Sequence, residues 1–280
     1  MDMMTKLTKD IRPVDTAVFA AVEDPKERQR LVTKETDRRR RELSLHFDSM
    51  LKEQGMDSAT LAHNYGLEYC TVYANYRGRP FTLPLMKLSQ ILNEVFGVSA
   101  QMYLLGFPLP VELPRSVMAM AEHLSRLQGR DRQNLVKHAD RLHEQDRIAG
   151  TDAGSLTTAQ LLRERVTEYA DEHMLRPVDV CGLPGNTTVY MRRFLCELTQ
   201  SDVRDQSRIN LDTLLVIAIS TGTAVDYFLS PNYLPYAELR HPGSGLPVAF
   251  DPYTMAFLEQ YLMCSFESQK KLFAEVMNAE

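Results

Sequence analysis

Residues 56–79 read MDSATLAHNYGLEYCTVYANYRGR, and the pattern of this stretch decides the fold. Asp57 or Ser58 offers a side-chain oxygen to the free N–H groups that open a helix. Leu61 and Ala62 then fall on the inner face, and the small Ala62 lets another helix cross closely. Gly66 can take the positive φ of a tight turn without steric cost. Leu67 plugs the core behind it, and a new helix starts near Glu68. Val72, five residues beyond Leu67, points back inward. The expectation is two short helices crossing at a steep angle.

Helical periodicity continues on both sides. Leu43, Phe47, Met50 and Leu51 recur on one helix face, as do Val117, Met120, Ala121 and Leu124. Leu135, Ala139 and Leu142 follow on a partner helix after Gly129, and Leu258, Tyr261, Leu262, Leu272 and Val276 close the chain. No strict alternation marks a sheet, so the fold class is all-α. Breaks fall at Phe107–Pro110 with Pro114, at Ala149–Ser155 and at His241–Pro247.

Two short helices joined by a tight glycine turn are the helix-turn-helix plan, whose second helix offers its outer face to the DNA major groove. Residues 56–79 resemble the Cro/Xre-type, lambda-repressor-like helix-turn-helix family. The pieces that carry the resemblance are Leu61-Ala62, Gly66-Leu67, Val72 and Arg77-Gly78, then a helix and Phe96-Gly97-Val98-Ser99. It covers roughly residues 43–106 and implies a five-helix bundle that reads DNA through its third helix. On that resemblance Ser58 opens the positioning helix and can bond a phosphate. Glu68, Tyr69, Thr71 and Tyr73 lie on or near the reading face, while Arg77 and Arg79 grip the backbone. Glu68 can accept from a cytosine amino group, or it can stabilise a helix N-terminus. The family often has glutamine where Ser58 stands and glutamate where Tyr76 stands, which are departures here.

The order of parts occurs twice. Gly97–Gly106 finds a counterpart in Gly222–Ser230, and Thr71-Val72-Tyr73 in Thr188-Val189-Tyr190. Each half ends in a proline-containing linker and a pair of amphipathic helices. The second motif is less regular, with an expanded turn at Gly182–Gly185. Its candidate contacts are Asn186, Thr187, Thr188, Tyr190, Arg192 and Arg193. Asparagine can pair with adenine, and threonine with phosphate or a thymine methyl. The other reading of this half is a degenerate domain kept for packing or dimerisation.

The expected organisation is an arm and charged helix at 1–42, which does not form core, then a first helix-turn-helix domain at 43–112 and a helical hairpin at 113–150. A second, degenerate helix-turn-helix domain follows at 156–240 and a C-terminal hairpin at 248–280. Arg38, Arg39, Arg40 and Arg41 form a secondary DNA-binding arm that can lie on phosphates, partly neutralised by Glu35, Asp37 and Glu42. The hairpins near 116–147 and 253–278 either pack the halves together or form a dimer interface.

Composition narrows the class. A net charge of -5 argues against a generally basic nucleic-acid coat, yet a DNA reader needs only one positive face. No apolar run approaches the roughly 18–20 residues of a membrane span, and MDMMTKLTKDIRP lacks a signal core, so a cytoplasmic location is expected. Cys70, Cys181, Cys196 and Cys264 are scattered and read as buried thiols. There is no GxxxxGK[ST] loop, GxGxxG or HExxH, and His138 and His143 diverge around a helix. No enzyme activity, cofactor or metal is expected. The expected function is sequence-specific binding of duplex DNA in transcriptional regulation, read by the helix 68–76, with a homodimer or two half-sites met by one chain. The alternative is a protein-interaction regulator on a scaffold that no longer reads DNA.

Overall fold

The computed structural model describes residues 12–16, 21–68, 85–156, 158–177, 180, 214, 217–219 and 221–279. Among these, the chain is essentially all-helical. Helix α1 (Pro25–Glu53) starts on a capping contact from Asp24 to the Lys26 N–H, with Pro25 in the first turn. It is followed by α2 (Ser58–Asn64), then α3 (Leu85–Ile91), which runs into a π-helical turn at Leu92–Phe96. Next come α4 (Ala100–Leu105), strand β1 (Pro110–Glu112), α5 (Arg115–Arg126) and α6 (Gly129–Ala149). The later elements are α7 (Thr158–Glu172), α8 (Val225–Leu229), β2 (Glu238–Arg240), α9 (Pro252–Met263) and α10 (Phe266–Asn278).

Helix α1 corrects the expected boundary at residue 42. It runs unbroken through that point, and its first half contributes to the core. Val32, Thr36, Arg39, Leu43 and Phe47 recur at helical spacing and are all buried. The segment does not merely precede the core. Val14 also packs inside, held by its N–H to the Leu105 carbonyl at 2.9 Å. That close passage needs Gly106: a Cβ there would sit 2.9 Å from the Pro13 Cα.

The two hairpins pack on each other within the chain, α9 against α6 and α5, and α10 against α5 and α6. Val117, Met120, Ala121 and Leu124 meet Phe257, Leu258, Tyr261, Leu272 and Val276 in one continuous buried cluster. Each hairpin turns through two residues, Leu127-Gln128 and Cys264-Ser265. Asp146 of α6 pins the second turn, accepting from the Ser265 N–H at 2.7 Å and the Ser268 hydroxyl at 3.1 Å. His138 and His143 do diverge, His138 to Glu275 of α10 and His143 to Gln260 of α9.

A feature without sequence warning is the parallel pairing of β1 with β2, with Val111 opposite Leu239. Both side chains are buried. The Pro110 carbonyl also accepts from the Ala224 N–H and the Thr223 hydroxyl, each at 3.1 Å. This knot joins residues more than a hundred positions apart.

The short helices α4 and α8 cap one another across the same junction. The Asp226 carboxylate accepts from the N–H groups of Ala100 at 2.7 Å and Gln101 at 2.8 Å. In return the Gln101 side-chain oxygen accepts from the Val225 N–H at 2.9 Å. Gln101 and Asp226 each stand four residues beyond a glycine with positive φ, Gly97 and Gly222. The free donors of both helix ends are thereby satisfied inside the protein.

Candidate nucleic-acid interface

The site is built on the C-terminal half of α1. Leu43, Phe47, Met50 and Leu51 give that helix an apolar face, and Leu61 and Ala62 of α2 are buried in the same hydrophobic cluster. Asp57, not Ser58, caps α2: its side chain accepts from the Thr60 N–H at 2.7 Å. That backbone bond holds the Asp57 carboxyl below its usual pKa. Ser58 is only 7% exposed.

The turn after α2 follows from its glycine. Gly66 has φ +60, and the Leu67 N–H reaches back to the Ala62 carbonyl at 2.8 Å. This six-residue closure is the Schellman form of helix end, which a residue without Cβ adopts at least cost. Leu67 packs part-buried on the core, and Tyr65 is tied to Glu94. Burial and that contact push the Tyr65 hydroxyl up to about 12. The chain then leaves the turn with Glu68 exposed.

The expected first helix and glycine turn are therefore present. Of the expected reading residues, Tyr69, Thr71, Tyr73, Arg77 and Arg79 lie outside the described residues. So do Asn186, Thr187, Thr188, Tyr190, Arg192 and Arg193 of the second motif, and all but Glu68 of the expected reading segment 68–76.

The arginine run divides into different roles. Arg39 is 1% exposed, and its guanidinium donates to the carbonyls of Leu104 and Tyr103 at 2.6 Å and of Arg12 at 2.9 Å. Burial lowers its pKa to about 10. An arginine so placed is internal cement, and the expectation that Arg39 belongs to a secondary DNA-binding arm is corrected. Its rank among Val32, Thr36, Leu43 and Phe47 was the available signal. Arg38 is held between Glu35 and Glu42, which raises its pKa through the Glu35 hydrogen bond first. Arg40 pairs with Asp37 at 3.6 Å, and Arg41 is exposed.

A second buried cation lies under α8. The Arg165 guanidinium stacks 5.1 Å from the rings of both Tyr227 and Tyr233 and bonds Glu168 at 2.9 Å. Burial opposes its charge, but Glu168 and the two tyrosines outweigh that and raise its pKa. The Tyr227 hydroxyl bonds the same carboxylate at 2.7 Å. These contacts fix α7 to α8 and the residues after it.

Among the described residues no group of histidine, cysteine and carboxylate side chains could hold a metal ion. None of the described helices is long and apolar enough to cross a membrane. No known protein family, curated protein or solved structure matches the chain.

Proposed function

We propose that this chain is a sequence-specific, duplex-DNA-binding transcriptional regulator that reads the major groove with the helix 68–76. The observation that carries the reading is the geometry from Asp57 to Leu67. An N-capped helix shares the buried cluster of a long scaffold helix, ends in a left-handed glycine, and returns Leu67 part-buried to the core. A capped helix closed by a left-handed glycine is the first half of the helix-turn-helix plan, and on this proposal the reading helix follows it at an angle. Arg77 and Arg79 then fix the register on phosphates. The reciprocal caps of Gln101 and Asp226 and the two equal hairpin turns support two related halves, the second of which meets a second half-site or serves as a built-in partner.

Binding to random and genomic duplexes across salt concentrations tests the proposal. Affinity should fall steeply with salt. Replacing Tyr69 and Thr71 by alanine should relax sequence preference, whereas Arg77→Ala should weaken all sequences alike. Absence of binding at low salt refutes it. The net charge of -5 favours the second reading, a protein-interaction regulator, in that event.

A further inference from the structure

The solvent face of α1 carries an ordered set of cations that the arginine run does not include as a unit. Successive helix residues are rotated by about 100°. On that count Lys26, Arg30, Lys34 and Arg41 fall within an arc of about 80°. The buried residues Val32, Arg39, Leu43 and Phe47 lie on the other side of the helix. All four cations are exposed. Arg30 pairs with Glu27 at 2.7 Å, but among the described residues no carboxylate engages Lys26, Lys34 or Arg41. Between Lys26 and Arg41 a single acid, Asp37, shares the arc, and it is turned to Arg40.

A groove of about 1520 Å³ runs between this face and residues 12–15; Pro13, Val14 and Leu31 line it together with the stripe of cations, and Asp15, Glu35, Asp37 and Glu42 also reach its walls. Small-ligand sites are enclosed and run to about 300–1,000 Å³. An open groove larger than that, with Lys26, Arg30, Lys34 and Arg41 along one wall, fits a polymer better than a small molecule. From Lys26 to Arg41 the helix rises about 22 Å, at 1.5 Å per residue. Each strand of duplex DNA places one phosphate per 3.4 Å of axis, so several phosphates lie within that reach.

We propose that Lys26, Arg30, Lys34 and Arg41 form a second contact surface for duplex DNA, gripping backbone phosphates beyond the segment read by residues 68–76. This rests on the reading of the chain as a DNA binder. The stripe carries affinity and salt dependence, not sequence preference, because phosphates are alike along the duplex.

The test uses the full chain and a labelled 40-base-pair duplex, with binding measured from 50 to 300 mM salt. The triple variant K26A/K34A/R41A is compared with a charge-matched control, K137A/K270A/K271A, whose exposed lysines lie on α6 and α10. The expected result is a salt slope shallower by about 2.7 in the stripe variant, from three lost phosphate contacts at about 0.9 each. The control should keep the native slope, and the ratio of preferred to random sequence should be the same in all three proteins. If the native chain binds and the stripe variant keeps its slope, or the control loses as much, the stripe is overturned while DNA binding stands. If the native chain does not bind at low salt, both readings fall. Circular dichroism shows whether each variant is folded, which these exposed substitutions should leave unchanged.

Discussion

Asp226→Asn isolates the junction between α4 and α8. The Asp226 carboxylate is 1% exposed, and burial raises its pKa from 3.8 to about 6 against the pull of the Gln101 and Ala100 N–H groups. A shift of about two units corresponds to about 3 kcal/mol. Because the folded state holds the proton more tightly, the contribution is full below pH 3.8, falls as pH rises through 6, and is then flat. Asparagine stays neutral, so it removes this dependence. The native chain should therefore lose stability relative to the variant as pH rises from 4 to 7. Urea unfolding at intervals between those pH values reads the difference, expected to change by about 2–3 kcal/mol. A difference that stays constant from pH 4 to 7 would refute the placement of an ionising carboxyl at this junction.

Arg39→Ala abandons three backbone carbonyls and should cost about 3 kcal/mol or more in thermal unfolding. Arg39→Lys should recover only part of this, since an ammonium lacks the planar fork; a loss below about 1 kcal/mol for the alanine variant contradicts the internal role. Leu61→Ala should cost about 2–5 kcal/mol through the cavity left under α2. Gly66→Ala should cost about 1–2 kcal/mol through the left-handed backbone alone, and an unchanged midpoint would mean that the turn takes another form. Asp146→Ala removes two contacts at the start of α10 and should lower stability by about 1–2 kcal/mol, with Asp146→Asn retaining part of it.

Local patterns were legible wherever the partner lay nearby in sequence. The Leu43, Phe47, Met50 and Leu51 face is buried, and both hairpins form where their periodicity placed them. The Gly66 turn and the Asp57 cap follow from the types of those residues. The pairing of Val111 with Leu239 did not show, because strands of three residues are too short to display alternation. Asp226 and Gln101 looked like ordinary polar residues of short helices. Their roles exist only because folding brings two helix ends face to face over 125 residues. Arg39 was hidden by its neighbours: in a run of four arginines, charge drew the eye away from its place on the apolar face.

Helix α1 has a mechanical consequence. Its 29 residues make a rod about 43 Å long, with no proline or glycine inside to serve as a hinge. Its outer face carries the exposed cations from Lys26 to Arg41, and its inner face is buried in the core from Val32 to Leu51. A partner that touches both ends meets a single rigid body, so its orientational freedom is surrendered once and the second contact forms at high effective concentration. The rod also acts as a ruler. Inserting one residue near its middle would rotate one end against the other by about 100°, and a seven-residue insertion would nearly restore the facing while lengthening the reach by about 10 Å.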